Sequence, residues 1–589
     1  MNITNTGWYL FSNTRSNTWN DMKLAEGFAT CSVYQYIYNL NGSPIAPNTS
    51  LSIGNWTSID VSGNNPSLTV GTAYWVNITN IPTSSFNING TSATFSGIGT
   101  INSTSIVQMI QSSGYNQTEI QPVTSLRFYG FNTIGQTGLS IYSDDDVSQH
   151  FPNLNTISIA ASVKTLGNNA FSIPNNSSAS VLNVKNLIFE PNCQLTSIGE
   201  NALSSMLYLE SFSIPSSVTT LGVNALANVG AGNGSISLNT IISDNLTSIG
   251  GGAFAQMQTN TFTLYPSNPN YSIIGPVLFN KDQTTLVQYA FGSNTSTTYT
   301  IPNTVTTIGA YSFNAMALNN IIIPNSVTAI ENNAFDNAYL NTSVNIPASV
   351  TFIGEYAFKQ TLNLPSFNVD INNPSYLSDG GVLFDKNKTT LIQYPCSRNS
   401  SSYTMPSNVT SIKPYAFANV SSNSSLNGVS VLTNVILPEN NSYLYIGDFA
   451  FASTEIDTCE FSNTVITDIG KYAFYGTKLT FVSFRPNISS IGDYAFSGTN
   501  SITSVTFPSY PLIRYIGPNA FQGNITLTIS SSMITASINQ KSTGIYTGSI
   551  PQLYTDLGTP IPAGNNIDLT GKSRDFFGAN VITLNITTP

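Results

Sequence analysis

A ten-residue phrase recurs twelve times along the chain and constrains its fold more than any other feature. The phrase reads small–Val/Leu/Ile–Thr–x–Ile/Leu–Gly–x–x–Ala–Phe/Leu, as in SVKTLGNNAF and NISSIGDYAF. Its last residue is Phe171, Leu203, Leu226, Phe254, Phe313, Phe335, Phe358, Phe417, Phe451, Phe474, Phe496 or Phe521. A repeat of about 23 residues is the size of one solenoid coil, in which each unit packs only on its neighbours. The spacing therefore predicts a mainly β solenoid of about 12 coils.

The residue types predict the path of one coil. Apolar strands end in proline between the phrases, at Pro215, Pro324, Pro347, Pro438 and Pro508. Proline lacks an N–H donor and ends a strand ladder. We therefore expect a strand, a proline turn, a second short strand, then glycine and a single helical turn. Glycine is expected to allow the turn with positive φ, and the final Phe or Leu to stack in the core.

Two positions depart from the phrase, because Glu331 and Lys413 stand where glycine is usual. We interpret them as repaired turns, with a local functional edge as the alternative.

Two steps of 59 residues separate otherwise regular phrases, and both have the same cause. Residues 268–289 and 373–394 are copies of one segment, offset by 105 residues. Each carries a V-L-F strand and a T-L-x-Q-Y strand around a polar four-residue turn, which predicts a β-hairpin inserted beside the coil.

The chain before the repeats differs in composition. All four tryptophans (Trp8, Trp19, Trp56 and Trp75) lie there, among short β-branched and aromatic runs that predict a small antiparallel β-module over residues 1–82. The module resembles one of bacterial surface and S-layer-type proteins that opens with Gly-Trp-x-Leu and closes with Leu-x-Pro-Gly-x-x-Tyr-Trp-Val. Val70 replaces that proline here.

The regions that flank the repeats are expected to cover the ends of the stack, since an open end exposes apolar surface and strand edges. We assign residues 83–155 to a β-rich connector and N-cap, and residues 156–525 to the solenoid. Residues 526–589 are assigned to a β-rich C-terminal cap or attachment segment.

Composition argues against several functions. Charged residues make up 8% of the chain and its net charge is −10 with 18 Lys plus Arg, which argues against nucleic-acid binding. The chain contains no run of about 18 apolar residues, so a membrane-spanning helix is not expected. The N-terminal residues lack the basic and apolar regions of a secretory signal peptide.

Candidates for chemistry are few. His150 is the single histidine and is interpreted as a loop residue, and Asp144, Asp145 and Asp146 as an acidic turn, with Ca²⁺ binding as the alternative. No phosphate-binding or dinucleotide motif is present, and nothing singles out a carboxylate pair for glycoside cleavage. We therefore predict no enzyme activity and no catalytic, cofactor-binding or metal site.

The four cysteines (Cys31, Cys193, Cys396 and Cys459) form no C-x-x-C pair, so a zinc or redox motif is not expected. Buried thiols are predicted, with a Cys396–Cys459 disulfide as the alternative.

The Ile-Gly-x-x-Ala-Phe coil and the Asn-Pro-x-Tyr…Gly-Val-Leu-Phe-x-Lys hairpin together resemble the BspA-type leucine-rich repeat family, over about 370 residues. That resemblance implies a leucine-rich-repeat β-solenoid. Members are mostly surface-displayed proteins of bacteria and parasitic protists, linked to adhesion to host proteins and co-aggregation, and relatives occur in large DNA viruses. The family brings no catalytic residues.

These features predict a surface-exposed protein for adhesion or recognition on a cell or virion exterior. The partner would be a protein or a glycan. The alternative is a structural building block or decoration of a virion, filament, sheath or surface layer, which would bind neighbouring subunits or form a homo-oligomer. Aromatic residues such as Tyr443 and Tyr445 on the strand face are candidates for contact, but no binding surface is assigned.

Overall fold

The computed structural model describes most of the repeats and isolated strands at either end. It describes residues 7–12, 30–36, 56–59 and 73–80, residues 85–530 with gaps, and residues 566–568, 575–576 and 579–587. The gaps are residues 98–99, 102, 136–150, 173–183, 211–212, 234–239, 266–267, 294–297, 421–430, 439–442, 460–464, 486–487, 499–501, 508–512 and 514. Asp144, Asp145, Asp146 and His150 therefore lie outside the described residues.

The chain divides into two compact units. One comprises Met1–Leu278 with Ala290–Ser293, and the other Phe279–Tyr289 with Asn294–Pro589. The boundaries expected after residues 82, 155 and 525 stay predictions.

Antiparallel strands begin the first unit, as the sequence of the N-terminal module predicts. The strands are Gly7–Ser12, Thr30–Tyr36, Trp56–Ile59 and Ala73–Asn80. The fourth strand lies between the first and the second, and the third pairs with the second.

The coils of the first unit build two parallel ladders. We name them the glycine-side ladder, which leads into the glycine of the phrase, and the proline-side ladder, which precedes the proline turn. The glycine-side strands are Thr100–Ile101, Thr133–Ile134, Thr165–Leu166, Ser197–Ile198, Thr220–Leu221 and Ser248–Ile249. Each pairs in parallel with the next, so parallel pairing starts well before residue 156.

The proline-side ladder of this unit runs alongside. Its strands are Ser92–Ser96, Ser125–Tyr129, Thr156–Ile159 and Asn186–Phe189, then Thr240–Ile242 paired with Phe262–Leu264. Ser85–Asn89 lies antiparallel along its first edge. The helical elements of this unit are Ser103–Ser113, Gln117–Ile120 and the 3₁₀ turns Ala231–Asn233 and Phe291–Ser293.

The second unit repeats this arrangement. Its glycine-side strands are Thr285–Tyr289, Thr307–Ile308, Ala329–Ile330 and Phe352–Ile353, then Thr390–Gln393, Ser411–Ile412, Tyr443–Ile446, Val465–Ile469, Ser490–Ile491 and Tyr515–Ile516. Its proline-side strands are Thr298–Thr300, Asn320–Ile322, Val344–Ile346, Phe367–Val369, Ser402–Thr404, Asn434–Ile436, Thr458–Cys459, Phe481–Ser483, Ser504–Thr506 and Gly523–Ser530.

Three further groups of strands occur among the described residues. Ala317–Leu318 pairs with Tyr339–Leu340 in the second unit. The hairpin strands are Tyr271–Ile274 and Val277–Asn280 in the first copy, and Tyr376–Asp379 and Val382–Asp385 in the second. Near the C-terminus, Ala579–Thr587 runs parallel to Gly523–Ser530, and Asn566–Asp568 and Asp575–Phe576 pair antiparallel with it.

Inter-coil contacts explain the residue types of the phrase. Its threonine donates a hydroxyl hydrogen bond to the preceding coil, as Thr219 Oγ1 does to the Thr196 carbonyl at 3.0 Å. Its last residue is buried and stacks on its counterpart: the ring centroids of Phe451, Phe474 and Phe496 are 4.9 and 5.1 Å apart. These distances are close to the spacing between strands, so the predicted β-solenoid with a stacked aromatic core is confirmed.

The turn after the strand differs from the prediction in two ways. It is not a helical turn, because alternate N–H groups bond to the next coil: the Phe335 N–H donates to the Ala357 carbonyl at 2.8 Å, while the Ala334 N–H donates to the Glu331 carbonyl at 3.2 Å. The expected positive φ at the glycine is also wrong. The second residue after it has positive φ in all twelve phrases, and we name this position the corner residue.

The glycine of the phrase is needed because neighbouring coils approach closely. A Cβ on Gly222 would lie 2.5 Å from the Glu200 nitrogen of the preceding coil, and one on Gly492 would lie 2.5 Å from the Lys471 nitrogen. Real Cβ atoms do not come that near to backbone, so a larger residue requires the backbone to shift.

The predicted hairpin is confirmed in the second copy, where Val382–Asp385 and Thr390–Gln393 pair antiparallel. It is not set beside the coil, however. Thr390–Gln393 also pairs in parallel with Ser411–Ile412, and Tyr394 stacks on Phe417 at 4.8 Å. The hairpin's last strand is therefore the glycine-side strand of a coil of its own, with Tyr394 in the place of the core Phe.

The disulfide alternative is wrong, since Cys396 and Cys459 are separate thiols, both buried as the favoured interpretation predicts. Cys193 is a partly exposed thiol. Burial raises the pKa of the Cys396 thiol to about 12, so this group stays protonated and unreactive at neutral pH.

Candidate functional site

Aromatic rings occupy the corner residue in successive coils of the second unit. In the first unit this position is Asn169, Asn201, Asn224 or Gly252, residue types that adopt positive φ readily. In the second unit it is aromatic in six of the eight phrases and asparagine in the other two. We name five of these residues the aromatic edge: Tyr356, Tyr415, Phe449, Tyr472 and Tyr494.

The rings of the aromatic edge form a column. Tyr415, Phe449, Tyr472 and Tyr494 stack with successive centroid distances of 4.7, 4.7 and 4.9 Å and interplanar angles of 8°, 7° and 2°. Tyr356 meets the Tyr415 ring edge-on at 5.3 Å. All five side chains are partly exposed, so their ring edges form a continuous surface along the coils.

The column offsets a backbone cost. A bulky residue at positive φ is unusual, and each such conformation costs on the order of 1–3 kcal/mol. Each aromatic pair contributes about 0.5–1.5 kcal/mol beyond the area that it buries. Phe449 and Tyr472 each belong to two such pairs, so stacking compensates for the strain.

Charged groups flank the column. Lys359 Nζ lies 4.7 Å from the Tyr415 ring centroid and 3.6 Å from Asp336 Oδ2. Lys471 Nζ lies 2.9 Å from Asp493 Oδ2, whose other oxygen accepts a hydrogen bond from the Tyr515 hydroxyl. The charges alternate in sign along this edge, so it attracts polar partners of mixed charge more than a highly charged one.

The hydroxyl groups of Tyr356 and Tyr415 stay neutral because their pKa values are raised. Burial raises the pKa of Tyr415, and the negative charges of Asp336 and Asp448 act in the same direction. The pKa of Tyr356 is raised by burial and then by Glu355 and Asp448. Both phenols can therefore donate and accept hydrogen bonds at physiological pH.

The two strand-face tyrosines that the sequence singled out are exposed, as expected for contact residues. Tyr443 is 68% and Tyr445 43% exposed, on the strand Tyr443–Ile446. They belong to the strand and not to the stacked column.

The two departures from glycine have different surroundings. The coil before Lys413 reaches from Leu391 to the aromatic residue Tyr394 in three positions, where a full coil such as Ile353 to Phe358 takes five. Its corner is therefore missing, but the coil before Gly309 is equally short and a Cβ there would lie 2.6 Å from the Leu286 carbonyl oxygen, so the short coil alone does not explain Lys413. Glu331 keeps the hydrogen bonds of a glycine coil, but nothing in the structure explains why a larger residue is accepted there.

Sequence reasoning missed the aromatic edge, although a signal for it was present. Aromatic residues stand two positions after the glycine in the later phrases, as in IGDYAF and IGKYAF. Taking this position as part of a helical turn hid its regular, outward placement.

Metal-holding clusters and membrane-spanning helices are both absent from the described ranges. No group of three or more His, Cys, Asp or Glu side chains there is arranged to hold a metal ion. No helix in the same ranges combines the length and hydropathy that crossing a membrane requires.

Comparison with known proteins identifies the family. The family model described as BspA type leucine rich repeat region (6 copies) matches residues 144–285, 284–380 and 392–528, more than half of the chain. The chain belongs to the BspA-type leucine-rich repeat family. As a member, it is a repeat protein of a kind suited to protein interaction. No curated protein matches it in sequence.

Solved structures of bacterial repeat proteins are similar to this BspA-type chain. A leucine-rich repeat protein from Eubacterium ventriosum is 20% identical, with 71% of this chain and 93% of that chain covered and a TM-score of 0.41. A leucine rich cell surface protein from Faecalibacterium prausnitzii is 20% identical, with 74% and 95% covered and a TM-score of 0.33. The pneumococcal vaccine antigen PcpA is 17% identical, with 76% and 90% covered and a TM-score of 0.29.

Proposed function

We propose that this protein is a non-enzymatic recognition protein at the exterior of a cell or a virion, and that it binds a protein partner through the aromatic edge. The observation that carries the proposal is the placement of five partly exposed aromatic residues at strained backbone positions, where the four phrases of the first unit have asparagine or glycine. Strained residues that persist in a fold are common at sites of function.

The chemistry of the edge suits a protein partner. Tyrosine is enriched in protein interfaces because it combines a large apolar ring with one polar group. A rigid column of rings also loses little side-chain entropy on binding. The flanking pairs Lys359–Asp336 and Lys471–Asp493 would lie at the rim of such an interface.

Surface plasmon resonance tests this proposal. It measures binding of the full chain to a panel of purified extracellular proteins. Tyr472 and Tyr494 are replaced together by Asn, which accepts positive φ, so that two rings are removed without disturbing the backbone. We expect at least about a tenfold loss of affinity for any protein that binds. Tyr339→Asn, at a tyrosine that is 40% exposed outside the edge, is the matched control. Equal effects of both changes would contradict the proposal.

A structural role is the second candidate, favoured by the low charge and by apolar side chains exposed on the second unit. Ile371 is 86% and Phe481 54% exposed, and such side chains can become buried between subunits. Antibody-gold labelling distinguishes the two roles. Regular spacing on a capsid, filament or sheath would favour the building block, and scattered labelling of a cell envelope would favour recognition. A purely cytosolic signal would contradict both.

A further inference from the structure

A cleft opens in the second unit where the second hairpin replaces a full coil. The cavity has a volume of about 290 Å³. It forms because the coil that ends at Tyr394 lacks the two corner positions of its neighbours, so Glu355 and Tyr356 face Lys413 and Pro414 across the gap. Its volume is at the lower end of the roughly 300–1,000 Å³ typical of small-molecule sites.

The glycine-side ladder ends at this cleft. The Ile330 carbonyl accepts the N–H of Gly354 from the next coil at 2.8 Å, as the repeat requires. The equivalent Ile353 carbonyl has no strand beside it, because Phe352–Ile353 pairs only with Ala329–Ile330. The Ile353 N–H instead donates to the Tyr376 hydroxyl at 2.8 Å. One backbone acceptor therefore stays open, and the Tyr376 O–H can still donate.

Other polar groups line the same space. Gln393 is 5% exposed and donates from its Nε2 to the carbonyls of Tyr394 at 3.2 Å and Ala416 at 3.1 Å, which leaves its side-chain oxygen as an acceptor. The Glu355 carboxylate and the Lys413 ammonium group, both on exposed residues, lie at the mouth. The Asp385 carboxylate also lines the cleft, and its oxygens accept from the Thr389 hydroxyl at 2.7 Å and the Thr390 N–H at 2.5 Å. The two carboxylates disfavour an anionic ligand and the ammonium group disfavours a cationic one, so a neutral ligand fits best.

Two aromatic rings complete the walls. Phe352 is 47% exposed, and Tyr356 is the partly exposed first ring of the aromatic edge. A ring face beside several acceptors and a few donors fits a ligand that is apolar on one side and rich in hydroxyl groups around its rim.

We propose that this cleft binds a neutral saccharide of one or two rings, with the Phe352 ring against the sugar face and the Ile353 carbonyl and Gln393 oxygen accepting from its hydroxyls. A peptide strand fits less well. Strand addition requires alternating donors and acceptors along the edge, and the Ile353 N–H is already bonded. The site adjoins the aromatic edge and shares Tyr356 with it, but Phe352, Ile353, Tyr376 and Gln393 do not belong to that edge.

Saturation-transfer NMR of the full chain with glucose, galactose, mannose, N-acetylglucosamine and their disaccharides tests the proposal. We expect at least one of these sugars to bind, and Phe352→Ala and Tyr376→Phe each to weaken its binding by about tenfold. Tyr445→Ala is the matched control, because Tyr445 has the same repeat position as Phe352 and is 43% exposed, yet lies outside the cleft.

Several results would overturn the proposal. They are the absence of transfer to every sugar, equal losses in Phe352→Ala and Tyr445→Ala, or displacement of the sugar signal by an extended Thr-Val-Thr-Val peptide. Circular dichroism of each variant ensures that a loss is not caused by unfolding. The double variant Tyr472→Asn/Tyr494→Asn should keep sugar binding, so failure of the saccharide site and failure of the protein-binding edge can be told apart.

Discussion

Close approach and backbone conformation select residues at different positions of the same turn. The glycine of the phrase does not have positive φ in any coil, yet a Cβ there meets the backbone of the preceding coil. The corner residue has positive φ and, except at Gly252, is partly exposed, and it is Asn, Gly, Tyr or Phe in different coils. Glycine is therefore required by packing, while the choice at the corner residue is open to function.

Replacing Gly492 by Ala is expected to destabilise the second unit by about 1–3 kcal/mol, because the new Cβ would lie 2.5 Å from backbone atoms of Gly470 and Lys471. A fall in the thermal midpoint, followed by circular dichroism, would measure this. Glu331→Ala is the control, since that position already carries a Cβ and should change stability by less than about 0.5 kcal/mol. A Gly492→Ala variant as stable as the natural chain would show that the coils can separate freely.

Asp336, beside the aromatic edge, is expected to make the stability of the fold depend on pH. Burial raises the pKa of its carboxyl, although Lys359 opposes the shift. An acid whose pKa is higher in the folded state destabilises that state above this pKa, and the penalty disappears as the pH falls towards its unfolded value. Asp336→Asn removes the penalty. Its thermal midpoint relative to the natural chain should therefore be higher at pH 7 than at pH 4. If the midpoint of Asp336→Asn, relative to that of the natural chain, were instead higher at pH 4 than at pH 7, the ion pair with Lys359 would outweigh the cost of burial.

At the scale of the strand and turn, the sequence predicts the repeated parts and misses what depends on neighbouring coils. Strand, proline turn and core Phe follow from residue types within one coil, and all are present. The helical turn was a wrong prediction because its amides bond across coils, as the Phe335 N–H does to the Ala357 carbonyl. The cleft was missed because it arises where one turn is two residues shorter than those of its neighbours. That difference can be seen only when Leu391–Tyr394 is aligned with the other coils.

The stacked column is expected to stabilise the elements that carry it. Tyr472→Asn relieves a strained backbone position but removes stacking on Phe449 at 4.7 Å and on Tyr494 at 4.9 Å. Two stacked pairs contribute about 1–3 kcal/mol in total. Asn keeps the positive φ at a smaller cost and so relieves only part of the strain, and a net loss on the order of 1 kcal/mol is expected. Urea denaturation would detect it. Asn333→Gly, at a corner residue without a ring, should change stability less, and a larger effect there would contradict the role of stacking.

Across the second unit, both ladders and the core column stop at the same place. The glycine-side ladder ends at Phe352–Ile353 and restarts at Thr390–Gln393. The proline-side ladder is interrupted there too, between Phe367–Val369 and Ser402–Thr404, and also after Asn320–Ile322 and after Thr458–Cys459. The core rings stack from Phe313 to Phe358 and again from Tyr394 to Phe521. Isolated bonds cross the break, such as that from the Phe367 N–H to the Gly381 carbonyl at 2.9 Å. Because a solenoid couples each coil to its neighbours, we infer two cooperative blocks.

Hydrogen exchange with mass spectrometry tests this inference in the full chain. Phe474 is buried between two stacked rings, so Phe474→Ala should cost about 3–5 kcal/mol. Protection should fall across residues 390–528 and stay unchanged across residues 298–369. Phe335→Ala, at the equivalent position of the other block, should give the reverse pattern. If either substitution lowered protection equally in both blocks, the break would not separate them, and the hairpin coil would have to transmit stability as well as a regular coil does.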